Sequence, residues 1–218
     1  MSRRGEIVEL KAGRGYFVEG GGAGILILHA WWGLNDFFKG FSDSLSKEGP
    51  FSVLALDLYH GQVATDIESA KRLRGSVDRQ VAHEEIKSSV VYLRQSNENK
   101  IGVIGFSMGA NLALWAMDNC HKDIGATVLY YGTSGGRFRK AKSPVLGHFG
   151  TDDPYERAEK ISALERHLQA ENIPINFHIY PDAKHWFAEE NRPEYDAESA
   201  QLAWDRTVEF LHSSLRAR

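Results

Sequence analysis

The stretch Gly105-Phe106-Ser107-Met108-Gly109 is the part of the chain best suited to covalent chemistry. It fits G-x-S-x-G, a pattern that sets a serine on a sharp strand-to-helix turn. Such a turn strains the serine backbone, and side chains two residues away would collide, so glycine stands at both places. The hydroxyl is lifted above a sheet edge, beside a helix N-terminus whose free N–H groups favour developing negative charge. Serine alone is a weak nucleophile. It needs a base, and the base needs an orienting acid. On this architecture they follow in the order Ser, then Asp or Glu, then His. Asp152 and Asp153 lie just past the apolar run 143–150, and His185 lies in the segment after 175–180. Each has a plainer reading alone, an aspartate as a helix cap or a histidine as an exposed loop residue. Their order at three strand ends favours a triad.

Those residues meet only if the intervening elements bring them to one edge. Strand-like runs lie at 6–10, 15–19, 24–30, 51–57, 100–105, 126–132, 143–150 and 175–180. From residue 24 onward they are continuously apolar, as strands covered on both faces are. Helical spacing is found over 36–48, 78–95, 108–119, 156–171 and 196–215. The alternation predicts an α/β fold, a mostly parallel, doubly wound sheet of about eight strands with helices on both faces, in one domain over 1–218. Ligands then bind outside the carboxyl ends of the strands. The glycine-dense run 18–24 lacks the Gly-Lys-Ser/Thr of a phosphate loop and reads as a hairpin turn.

The bulk properties narrow the partners. The 218 residues carry a net charge of −3, with 42% apolar and 25% charged side chains. No basic excess argues for nucleic acid, and no apolar stretch is long enough to span a bilayer. Cys120 is the single cysteine. With no signal-like core near the start, the simplest expectation is a cytoplasmic protein. No His-Glu-x-x-His or histidine cluster suggests a metal, and no cofactor is expected. His29 is placed to shape the floor of the site, while His148, inside an apolar run, reads as a core residue.

Beyond the serine turn, the chain resembles the dienelactone hydrolases of the α/β-hydrolase superfamily over about residues 6–212. The resemblance is carried by "LHAWWGLND", "ALDLYHG", "IGVIGFSMGANLAL", "LYYG", "HFGTDDPY", "DAKHWF" and "AWDRTVEFL". It implies Ser107 as nucleophile where the family usually has cysteine, Asp153 and not Asp152 as the acid, and His185 as the base. It implies the backbone N–H groups of Trp31 and Met108 as oxyanion donors. Two departures bear on substrate. Ala30 stands where dienelactone-active members have a glutamate, and Glu189 where they have an arginine that grips the substrate carboxylate. A second family arginine falls in the segment holding Arg72, Arg74 and Arg79.

The reading is a serine hydrolase of small carboxylic esters or lactones. Trp31, Trp32, Trp186 and Phe37 are candidate aromatic walls for an apolar group, with core packing the plainer reading for Trp32 and Phe37. With Ala30 and Glu189 they define the expected substrate region. A carboxylate facing Glu189 meets like charge, so neutral esters are expected to be preferred over dienelactone. The same machinery serves a thioesterase, acyl transferase or peptidase, and the fold could be kept by a non-catalytic binding protein. Sequence leaves monomer and homodimer equally open.

Overall fold

The computed structural model describes residues 4–95 and 99–215. Among them, eight strands form one sheet: β1 (Glu6–Glu9), β2 (Arg14–Val18), β3 (Ala23–Leu28), β4 (Phe51–Leu56), β5 (Ile101–Phe106), β6 (Ile124–Tyr130), β7 (Val145–Asp152) and β8 (Ile175–Lys184). Their order is β1-β2-β4-β3-β5-β6-β7-β8. β1 and β2 pair antiparallel, as do β2 and β4, and every pair from β4 to β8 is parallel. β3, β4 and β5 are buried at every residue, which is why they read as unbroken apolar runs.

The helices are α1 (Asp36–Leu45), α2 (Ile67–Ser76), α3 (Arg79–Gln95), α4 (Met108–Asn119), α5 (Ala158–Ala170) and α6 (Ala197–Ser214). They cover both faces. Ile25 of β3 pairs with Gly102 of β5, and a Cβ on Gly102 would meet Leu211 of α6 at 3.0 Å. Gly24, the next residue along and so on the opposite face, looks onto Leu93 of α3. α1 shares the α6 face, where Phe41 and Trp204 meet edge to face at 4.8 Å. α3 and α4 pack against each other on the other side.

Two sequence expectations are corrected. The run 18–24 is not a hairpin turn, because β4 lies between β2 and β3. It is a short crossover past the start of β4. The N–H groups of Gly20 and Gly21 donate to Ser52 Oγ at 3.2 and 3.1 Å, and a Cβ on Gly20 would overlap the Phe51 carbonyl. The second is α2, a helix the apolar periodicity did not reveal. It buries only Ala70 and Leu73, too narrow a stripe to read by pattern. Its N-terminus carried a signal: Asp66 and Ser69 form a reciprocal capping box.

β8 also runs further than expected. It reaches Lys184 through a bulge at which the register with β7 shifts between Gly150 and Asp152. Asp182 holds a left-handed backbone, φ 57, and its N–H donates to Thr151 Oγ1 at 2.8 Å. The bulge delivers the next residue, His185, to the end of β7.

Candidate active site

Ser107 follows β5 and opens α4 with φ 51, a conformation side chains rarely adopt. The two glycines make that turn possible. A Cβ on Gly105 would overlap the Gly109 carbonyl one turn on, and a Cβ on Gly109 would overlap the Leu28 carbonyl of β3. The second overlap shows that α4 starts hard against the sheet. Ser107 N–H donates to the Tyr130 carbonyl at 2.9 Å, which ties the turn to the end of β6.

The three sequence candidates come together. Ser107 Oγ lies 2.8 Å from His185 Nε2, and His185 Nδ1 lies 2.6 Å from Asp153 Oδ2. Asp153 and His185 are both buried. The other oxygen of Asp153 accepts the N–H groups of Tyr155 and Glu156 at 2.8 and 3.0 Å. Asp152 is exposed at the end of β7. With an anionic partner on Nδ1, the imidazole carries its proton there and leaves Nε2 free to accept the serine proton.

Met108 is the first residue of α4, so its N–H is one of those with no acceptor inside the helix. Trp31 lies in the loop after β3, a loop braced by His29. His29 is buried, with Nδ1 2.6 Å from the Ala30 carbonyl and Nε2 accepting the Leu58 N–H at 3.3 Å. Burial pulls its pKa down from 6.5 to about 4, so it is a neutral brace between two loops. That gives the expected role in shaping the site a mechanical form.

A cavity of about 250 Å³ opens over Ser107 and His185, lined also by Trp31, Arg74, Met108, Asn111, Tyr155, Glu156, Lys160 and Trp186. At its mouth, Ile67, Lys71 and Gly75 of α2 continue the wall with Trp31, Arg74 and Tyr155. The walls are aromatic where Trp31 and Trp186 stack at 5.7 Å. Elsewhere they are charged. The Glu156 carboxyl accepts from Thr133 Oγ1 at 2.5 Å, with Lys160 Nζ 3.8 Å from its other oxygen. Burial pushes the Glu156 carboxyl up.

Three residues expected at the substrate stand behind the wall. Ala30, Trp32 and Glu189 are fully or almost fully buried, and none lines the cavity. Trp32 packs on Trp186 at 5.3 Å, and the Arg192 guanidinium lies 3.7 Å from its ring centre. Phe37 lines a separate groove between α1 and α6. Glu189 is turned inward, its Oε1 accepting from Tyr131 Oη at 2.9 Å. The like-charge argument from Glu189 therefore fails: the charged side chains that line the cavity are Arg74, Lys160 and Glu156. Of the three arginines on this segment, Arg74 reaches it; Arg79 lines a different groove.

Sequence reasoning also missed Asn111, Tyr155, Glu156 and Lys160. Asn111 follows Ser107 by one helical turn, and Tyr155 and Glu156 follow Asp153 by two and three residues, so spacing from the triad was their available signal. His148 is a core residue as expected, bonded to Tyr180 Oη at 2.8 Å and Thr207 Oγ1 at 3.0 Å. Among the described residues, no group of three or more His, Cys, Asp or Glu could hold a metal. No helix among them is long and apolar enough to cross a membrane.

The model of the dienelactone hydrolase family matches residues 14–215, nearly the whole chain. The chain belongs to the dienelactone hydrolase family. This is a family of hydrolytic enzymes, and the eight-stranded mixed sheet is its α/β-hydrolase fold. The Pseudomonas putida carboxymethylenebutenolidase is 27% identical, over 86% of this chain and 84% of its own. Protein usf of Aquifex pyrophilus is also 27% identical, over 97% of this chain and 99% of its own. The fold superposes with a TM-score of 0.84 on a dienelactone hydrolase-like promiscuous phosphotriesterase from metagenomic libraries. That chain is 20% identical, with 99% of this chain and 100% of the other covered.

Proposed function

We propose that this family member hydrolyses carboxylic esters or lactones through an acyl-enzyme on Ser107. The observation that carries the reading is the continuous relay Ser107–His185–Asp153, at 2.8 and 2.6 Å, of which Ser107 and His185 line the cavity. Ser107 Oγ attacks the acyl carbon while His185 Nε2 takes its proton. Asp153 holds the ring and stabilises the imidazolium. The carbonyl electrons move onto the oxygen, which meets the N–H groups of Trp31 and Met108, each such donor being worth roughly 3–4 kcal/mol in related chemistry. His185 then protonates the leaving oxygen as the C–O bond breaks. In the second half, water attacks the acyl carbon, gives its proton to His185, and Ser107 leaves with that proton.

The cavity favours a small substrate, with an apolar or planar part against Trp31 and Trp186 and an anionic group toward Arg74 and Lys160. This replaces the preference for neutral esters. A fluorophosphonate probe tests the reading: it should label wild-type protein at Ser107 and leave Ser107→Ala unlabelled. Ser107→Ala should lose aryl-ester hydrolysis while melting cooperatively. Wild-type turnover by that variant would refute it.

A further inference from the structure

The relay does not use Glu189, yet this carboxyl is 0% exposed, one turn beyond the base. Its Oε1 accepts the Tyr131 hydroxyl at 2.9 Å, and its Oε2 has no partner. Tyr131 in turn lies against the base: its ring and that of His185 have centroids 5.1 Å apart. We propose that Glu189 is a positioning residue, which through its hydrogen bond to Tyr131 fixes the His185 ring between Ser107 and Asp153. The inference rests on the proposed function in taking His185 as the base.

The geometry is a closed ring of contacts. Tyr131 is pinned on the nucleophile side: its N–H donates to the His148 carbonyl at 2.8 Å, and the preceding carbonyl, of Tyr130, accepts Ser107 N–H at 2.9 Å. Glu189 is pinned on the base side, its N–H donating to the Trp186 carbonyl at 2.9 Å. Trp186 adjoins His185, and His185 returns to Ser107 at 2.8 Å. The Tyr131–Glu189 hydrogen bond closes this ring on the far side of the imidazole, beside an edge-to-face contact of Tyr131 with Phe187 at 5.5 Å. Tyr131 and Trp186 both hold positive φ, 38 and 67, so the turns it joins are strained and gain from a tie.

A buried carboxyl with one unbonded oxygen is better neutral than ionised. Burial pushes Glu189 up to about 8, with Glu194 adding to the rise and Tyr131 and Arg192 opposing it. The charged groups facing it are Arg192 and Glu194 on its own loop, with Asp153 and His185 beyond the Tyr131 ring. Glutamine keeps the acceptor for Tyr131 without the charge, whereas leucine and Tyr131→Phe remove the bond.

The experiment pairs kinetics on an aryl ester with proton NMR of the Nδ1–H that His185 shares with Asp153, a far-downfield signal that His185→Asn would abolish. Glu189→Gln should keep both the signal and kcat. Tyr131→Phe and Glu189→Leu should each broaden the signal and lower kcat about ten-fold with KM within about two-fold, as a displaced base does. The Tyr131→Phe/Glu189→Leu double variant should fall no further than either single one, because both break one link. Between pH 7 and 9 the wild-type signal should shift and that of Glu189→Gln should not. If Glu189→Leu does not fold, Tyr131→Phe, which loses one oxygen, carries the test. Variants with wild-type signal and kcat would overturn the inference, as would losses that multiply in the double. The signal does not depend on Ser107 chemistry, so a wild-type protein that shows it but takes no fluorophosphonate sinks the hydrolase reading alone.

Discussion

Asp153 holds His185 with one carboxylate oxygen, at 2.6 Å, and the head of its own loop with the other. The neighbouring Asp152 is exposed. One carboxylate thus fixes both His185 and the loop that carries Tyr155 and Glu156 into the cavity.

That division predicts unequal effects for the two aspartates. Asp153→Asn should lower kcat by roughly the ~10⁴-fold seen when a triad orienter is neutralised. Asp152→Asn should stay within about two-fold, as a surface change does. Steady-state kinetics on one aryl ester compares them, and a larger loss at Asp152 would reverse the assignment.

The cations at the cavity predict a substrate-dependent effect of Arg74. Arg74→Gln should raise KM for a carboxylate-bearing lactone about ten-fold, roughly 1.4 kcal/mol. KM for a neutral aryl ester should move less than about two-fold. Equal effects on both substrates would remove Arg74 from carboxylate recognition.

Stability should fall toward both acid and alkali, for different residues. His29 is ordinary at 6.5 when unfolded and about 4 when buried, so its contribution is whole above 6.5 and is lost as pH falls toward 4. His148 is held well below its usual value by the same burial and adds to that acid loss. Glu189 rises from 4.5 to about 8, so its contribution is whole below 4.5 and is lost as pH climbs through 8. Thermal melts across this range should show Glu189→Gln flattening the alkaline side and leaving the acid side unchanged. Parallel alkaline slopes in the two proteins would count against a neutral buried Glu189.

Gly109 predicts a packing failure. A methyl there would overlap the Leu28 carbonyl, backbone that cannot swing aside. Gly109→Ala should cost about 1–3 kcal/mol or more in urea unfolding and should reduce fluorophosphonate labelling of Ser107. An unchanged midpoint with full labelling would show that the turn tolerates a side chain.

Much of this protein is determined locally. The continuous apolar runs specify buried parallel strands, and the glycines around Ser107 specify a turn that no other residue fits. The order of Ser107, Asp153 and His185 follows from chain sequence alone, because each lies just past a strand. The tertiary structure decided what depends on contacts between distant segments. The glycine run 18–24 looks like a hairpin until β4 is inserted beside β2, a pairing that runs from Gly15 with Leu56 to Val18 with Val53. α2 was hidden because a helix covering a site mouth buries one narrow stripe and keeps its charges. Glu189 follows His185 and Trp186, which line the cavity, by one short turn of chain. Only the turn at Trp186, with its left-handed backbone, points the carboxyl inward to Tyr131 and leaves Arg74, Lys160 and Glu156, from other segments, to set the charge at the site.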